Sequence, residues 1–417
     1  MRDIAVLLFF IYLIYDSIKT PWHCVLALAI FSYMNPHSYA WGFVHSLPLY
    51  LILFLISFLL YLKEKDKQSI FFDWRVNAFI LLWCYFVLTT LLAMVPIQAE
   101  LKLINVSKIY LPFLLTLSLI NTRYKLYCLI VTIGCSFGFI AFKGGLFALA
   151  TGFSYRVWGP PATQFEGNNE FAVATIIIIP FLILFRSETP NKLLKNFLLF
   201  AIPVCIASAI SSWSRGALLA LIGSGMYMLS KSKHKILLVP LIFIGVFILI
   251  PYLPQEWFSR MDTINTYEED ESAMTRIEAW TDGWNYAKQH PLIGAGFDGW
   301  IYVTQRDWHS AYVEIFSEHG FIAFGIWLSM LLGSFISLIR LPMKTSIYPE
   351  LAWVTNYSTT LKASLLAYMI GSAFLGISYW DLLYHLIFIS ALIKKFALEE
   401  LESLLKVKST PLVKKIR

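Results

Sequence analysis

Apolar runs long enough to cross a bilayer crowd this sequence, and only residues 254–310 stay hydrophilic for long. That pattern decides the fold class first. A soluble domain has roughly a quarter of its residues charged, because its surface must face water. Here 58% of residues are apolar and 14% are charged. A bilayer lifts that constraint, provided the backbone satisfies its own hydrogen bonds, as an α-helix does. With 14 Trp and 22 Tyr the chain is also rich in the rings that settle at headgroup level. The composition therefore predicts an all-α, polytopic integral membrane protein of about 12 crossings.

Spans of the required length lie near 42–62, 76–97, 104–121, 124–142, 170–186, 195–212, 214–230, 235–253, 311–339, 362–377 and 379–396. The first 34 residues hold two shorter runs broken by Asp16-Ser17-Ile18-Lys19-Thr20-Pro21, read together as one broken crossing. This organisation divides the chain into an N-terminal bundle (1–253), a polar loop with short helices (254–310), C-terminal spans (311–396) and a basic tail (397–417). Alternate loops then differ sharply in charge. One set, ending with the C-terminal tail, holds 22 Lys or Arg, whereas the opposite and longer set holds 9. The positive-inside rule assigns the first set to the cytoplasm, so the polar loop faces outward, into the periplasm of a bacterial inner membrane.

The net charge of +7 is spread through short loops, which makes it a topology signal and excludes a nucleic-acid footprint. All five cysteines (Cys24, Cys84, Cys128, Cys135, Cys205) lie in apolar segments without metal-ligand spacing, as small buried hydrophobes do. Ionisable residues inside the spans are few: Lys108, Lys143, Glu170 and Asp381, all toward the outer ends. A transporter working at the bilayer midplane would place them deeper. The acidic run Glu268-Glu269-Asp270-Glu271 has no convergent partner, so it reads as a solvated loop and no metal site is expected. No cofactor is expected either.

Four outward features carry candidate chemistry. Ser211-Ser212-Trp213-Ser214-Arg215-Gly216-Ala217 is a very short connection that pins Arg215 at the membrane surface; an arginine snorkelling to headgroups is the plainer account. Residues 273–289 read as a helix that places Arg276 and Trp280 on one face. A tight His290-Pro291-Leu292-Ile293-Gly294-Ala295-Gly296 turn follows, and a solvated amphipathic helix is the alternative there. His309-Ser310-Ala311-Tyr312 opens a span, with His309 expected on the same helical face as Val313 and Phe316. Its imidazole could take a proton from a hydroxyl, or simply make a hydrogen bond. Finally, Arg156 and Trp158-Gly159-Pro160-Pro161 lead to Glu166-Gly167-Asn168-Asn169-Glu170, where either asparagine could cap the next helix.

Taken in order, these elements resemble the superfamily of O-antigen ligases and O-antigen polymerases, which also includes bacterial protein O-oligosaccharyltransferases. The likeness rests on Arg215 in its hairpin, Arg276 and Trp280 four apart, the Pro291-x-x-Gly294-x-Gly296 turn, and His309-Ser310-x-Tyr312 running to Glu318-x-Gly320. Tyr33-Met34-Asn35-Pro36-His37, Trp41-Gly42 and Asn168-Asn169-Glu170-Phe171 resemble the subgroup of O-glycosylation ligases associated with exosortase systems. The resemblance implies a GT-C-type glycosyltransferase. Such an enzyme moves a glycan from a polyprenyl (undecaprenyl) diphosphate to a hydroxyl of lipid A-core, protein or polysaccharide, inverting the anomeric centre without a metal. It implies His309 as the general base and Arg215 and Arg276 as diphosphate ligands. Arg156, Lys108, Asn169, Trp280 and Tyr312 become substrate contacts, and Glu318, Gly294 and Gly296 structural supports. A glycan polymerase would share this logic, and a lipid-linked glycan transporter is the alternative of another class.

Overall fold

The computed structural model describes residues 1–262 and 271–409, and among them the chain is all helix, turn and loop, with no strand. α1 (Arg2–Lys19) and α2 (His23–Tyr33) open the fold, followed by two short 3₁₀ turns and α3 (Leu49–Lys63). α1 and α2 do not form one broken crossing. The polar Asp16–Pro21 segment turns the chain back on itself, and the two helices pack antiparallel. His23 Nδ1 meets Asp16 Oδ2 at 2.7 Å near the turn, and Phe10 meets Phe31 edge-on at 5.4 Å further along.

The bundle continues through α4 (Trp74–Leu91), α5 (Pro96–Leu119), α6 (Arg123–Ala150), α7 (Asn168–Glu188), α8 (Lys192–Ile210), α9 (Arg215–Lys231) and α10 (Lys235–Leu249). After the polar segment come α14 (Ala311–Thr345), α15 (Ala352–Gly371) and α16 (Asp381–Ser409); between them and α10 stand α11 (Gln255–Asp262), α12 (Glu271–Gln289) and the single turn α13 (Trp300–Val303). Among the described residues seven helices are long and apolar enough to cross a membrane: α4, α5, α6, α7, α8, α10 with its 3₁₀ extension to Tyr252, and α14. α2 and α3 are apolar but shorter. The sequence windows at 362–377 and 379–396 caught only parts of α15 and α16. The first turns of α15 carry Asn356, Ser358, Thr359 and Thr360, while α16 runs on through the expected start of the tail to Ser409.

α7 is the hub, packed against α6, α8, α9 and α15, and most of its side chains are buried. α10 is the opposite case. It buries no side chain and turns its apolar residues outward, as a lipid-facing helix does. Far from the polar segment, Asp73 caps α4 and takes a two-pronged ion pair from the fully buried Arg75, at 2.7 and 3.0 Å. Lys394 of α16 meets the same carboxylate at 2.9 Å, and Arg75 reaches Ser390 at 2.5 Å. Burial raises the Asp73 carboxyl, but the Arg75 guanidinium outweighs it and, with Lys394, holds it at about 2. This knot fastens α4 to α16, whose start at Asp381 follows closely on Ser378 and Tyr379 at the polar end.

Candidate active site

The polar segment is locked onto the bundle by a break in α14. At Gly320 the backbone takes φ 76° and ψ 177°, a conformation essentially reserved for glycine. The break takes amides and carbonyls out of the helical ladder, and each needs another partner. The Pro291–Gly296 turn supplies them. Ala295 N–H donates to Ser317 O at 2.9 Å, Gly296 N–H to Glu318 O at 2.7 Å, and Phe321 N–H to Pro291 O at 2.8 Å. Gly294 and Gly296 have φ 67° and 80°. A Cβ on Gly294 would stand 2.6 Å from Ser317 O, and one on Gly296 would run into Ala93. The two glycine motifs, 24 or more residues apart in sequence, are thus two halves of one joint.

Glu318 sits behind this joint, buried. It accepts from Asp298 N–H at 3.0 Å, Trp308 Nε1–H at 3.1 Å and Tyr379 O–H at 2.7 Å. His319 is buried too, between Thr89 Oγ1 at 2.6 Å and the Tyr379 hydroxyl at 2.9 Å. Trp280 donates its indole N–H to Trp308 O at 2.7 Å, so α12 holds the segment just before His309. Tyr312 donates to Met369 O at 2.9 Å and ties α14 to α15. The structure therefore gives Trp280 and Tyr312 fixing bonds to the protein itself.

His309 does not ride on the helix. α14 begins at Ala311 with Ser310 at its N-cap, and His309 precedes them at φ 45°. Helical phasing with Val313 and Phe316 therefore does not apply, and a left-handed turn instead projects the ring outward, with 43% of its side chain exposed. Asp307 stands 4.0 Å from its Nδ1 and accepts its backbone N–H at 3.3 Å. The asparagine capping expected at α7 also differs. Asn168 is already the first helical residue, and its side-chain amide donates to Ser212 O at 2.7 Å.

That bond draws the α8–α9 hairpin to the start of α7. Ser211 O accepts Val157 N–H at 3.0 Å, and Ser211 Oγ donates to Tyr155 O at 2.9 Å, joining the loop before α7 as well. Arg156 lies over the Trp213 ring at 4.9 Å, and Arg260 of α11 donates to Trp213 O at 2.9 Å. Arg215 opens α9 behind the Ser214 cap. The neighbouring Gly216 packs on Phe374, which also receives Trp280 at 6.5 Å, so the elements bearing Arg215 and Arg276 meet at one aromatic ring.

Between α5, α7, α14 and the loop before α7 lies a cavity of about 680 Å³, its wall including Lys102, Trp158, Glu166, Glu170, Glu314 and Tyr379. Glu170 feels the charges of His309, Asp307 and Arg276, so the three stand within electrostatic reach of this wall, although none of them lines the cavity. Glu314 is buried and held through Oε2 by Ser378, from both N–H and O–H. Lys108, expected as a substrate contact, is exposed and bonds Asn105 at 3.2 Å. Lys102 is the lysine in the wall, 3.4 Å from Asp298. Its place was legible: Lys102, Asn105, Val106 and Ile109 recur at helical spacing and share the cavity face. Glu314 also left a signal, a lone carboxylate one helical turn before Glu318 in an apolar run. Asn169 is half-buried beside Gly167 and Glu170, which line the cavity. Glu268, Glu269 and Asp270 lie outside the described residues.

Residues 197–328 match the family model for O-antigen ligase, a range that takes in the α8–α9 hairpin, the polar segment and the α14 break. Residues 1–189 match a second family model, described as a family of unknown function. No curated protein matches the chain significantly.

Proposed function

We propose that the chain transfers a glycan from a polyprenyl diphosphate to an acceptor hydroxyl, a reading supported by the match of residues 197–328 to the O-antigen ligase family model. The observation that carries this reading is that family match, whose range includes His309 paired with Asp307 at 4.0 Å within electrostatic reach of Glu170. The reaction then runs at the outer face of a bacterial inner membrane, where the positive-inside rule puts the polar segment.

In this mechanism the acceptor oxygen attacks the anomeric carbon from the side opposite the diphosphate. The C–O bond to the phosphate breaks, its electron pair leaves with the diphosphate, and the configuration inverts. The acceptor proton passes to the imidazole of His309, whose positive charge Asp307 offsets. Diphosphate leaves readily, so the barrier lies mainly in charge growing on its oxygens. Arg276 and Arg215 suit that task, because a guanidinium pairs with phosphate through two parallel N–H bonds and stays charged at every working pH. Lys102 adds a third cation on the far wall. Held next to lipid, these cations stabilise the growing charge more than they would in bulk water. Glu318, through Trp308, and the glycine joint fix the segment that leads into His309. GT-C architecture with about 12 crossings fits this scheme.

The test is reconstitution of the purified chain with a polyprenyl diphosphate glycan and with lipid A-core, peptide and polysaccharide acceptors, followed by mass analysis. A product heavier than one acceptor by the whole glycan is expected. Recovery of every acceptor unchanged, with donor and lipid present, would contradict the proposal.

A further inference from the structure

A second cavity, of about 450 Å³, opens beside the first and shares Trp158 with it. Its character is different. Arg2, Lys143 and Arg156 line it, and among the described residues no carboxylate does. Asp3, the acid nearest in sequence, is turned to the backbone instead, accepting from Gly42 N–H at 2.9 Å and Val44 N–H at 3.3 Å. Each of the three cations lies over an aromatic ring: Arg2 on Trp41 at 3.9 Å, Lys143 on Tyr39 at 4.9 Å, and Arg156 on Trp213 at 4.9 Å. Lys143 sits within α6, seven residues or about 10 Å before its end, and is exposed to the cavity side. α6 is longer than the roughly 20 residues a crossing needs, so its last turns, Lys143 among them, reach the outer end of the span.

We propose that this second cavity is a subsite for an acidic saccharide, a sugar unit bearing a carboxylate or a phosphate, bound alongside the site of transfer. Cations alone would suit any anion. The flat faces of Tyr39, Trp41 and Trp158 add the apolar platforms on which the C–H face of a sugar ring lies, and a few charged groups then fix its orientation. The split between the cavities gives the direction. Glu166, Glu170 and Glu314 line the first with Lys102 as the cation among them, whereas Arg2, Lys143 and Arg156 line the second with no carboxylate beside them. Trp158, common to both walls, lets one glycan pass from the transfer site to the cationic subsite. The choice of a saccharide rests on the glycosyl-transfer reading; the preference for negative charge does not.

The test uses the full chain in nanodiscs of zwitterionic lipid, titrated with tetragalacturonate and with maltotetraose, and followed by tryptophan fluorescence. The acidic oligomer is expected to bind on the order of ten-fold more tightly, as two or three partly screened charge contacts allow, with the gap closing at high salt. Lys143→Gln with Arg2→Gln should erase the gap, and Lys143→Arg should keep it, which separates lost charge from lost folding. Equal binding of the two oligomers, or a gap that survives the double substitution, overturns the proposal. So does a gap abolished by adding phosphatidylglycerol to the nanodisc, which makes the cavity a lipid site. His309→Ala should lose transfer and keep the gap. Transfer without any acidic preference refutes this inference alone, and preference without transfer in the native chain refutes the enzymatic reading alone.

Discussion

Replacing Gly320 by alanine tests the joint that positions the site. The residue holds φ 76° and ψ 177°, where a side chain costs about 1–3 kcal/mol. Its new Cβ would also stand 2.6 Å from Pro291 O, and backbone cannot swing aside as a side chain end can. Relief of the clash requires the Pro291–Gly296 turn to lift, which endangers the three hydrogen bonds from Ala295, Gly296 and Phe321. At about 1 kcal/mol each, these bring the total to on the order of 4–6 kcal/mol. Gly325→Ala is the matched control. It lies in the same helix, its Cβ would meet nothing within 4 Å, and it should be neutral or slightly stabilising. Thermal unfolding in detergent, with transfer measured on the same samples, compares the two. Gly320→Ala should melt well below Gly325→Ala and lose transfer. Equal melting and equal transfer would refute the claim that the break in α14 and the glycine turn form one structural unit.

Arg276→Lys keeps the charge but loses the planar fork, so transfer should fall about ten- to a hundred-fold, chiefly through weaker use of donor; an unchanged donor KM would mark the arginine as a surface charge. Lys102→Met should weaken donor use on the order of ten-fold, while Lys108→Met stays near the native rate, and the reverse order would discard the cavity assignment. Asp73→Asn leaves Arg75 buried without its counter-charge and should cost about 3–5 kcal/mol by thermal unfolding. The carboxyl of Asp73 is held at about 2, below its unfolded value. Its stabilisation is therefore complete above the ordinary carboxylate range and lost only as pH falls through about 2. Between pH 5 and 9 the native protein should show no stability change traceable to Asp73; a deficit in Asp73→Asn that varies across that range would contradict the pairing.

Sequence pattern revealed what depends on local periodicity or composition: an all-helical membrane class, the polar segment with its helix around Arg276, and the start of the long helix after Ser310. It failed where tertiary bonds override the local pattern. α15 begins in a run too polar to read as a span, and buries that run against α7 and α9. The hairpin of α1 and α2 hangs on a turn whose reversal no hydropathy window resolves. Gly320 entered only as the last residue of the motif that starts at His309, because its positive φ becomes necessary only once Pro291 and Leu292 pack against it. For the site, the chemistry-bearing types were visible but their aim was not. His309 leaves the helix that its spacing suggested, and Trp280 spends its N–H on Trp308. The cationic wall residue is Lys102, whose phase along α5, rather than its depth in the span, was the usable signal.

The central claim is that His309 takes the acceptor proton. His309→Ala in the reconstituted system tests it most directly, because the exposed ring supports no buried bond and its loss should leave the fold intact. Transfer should fall by on the order of 10²–10⁴-fold, with binding of the polyprenyl diphosphate glycan unchanged. A variant that transfers at the native rate would contradict the mechanism.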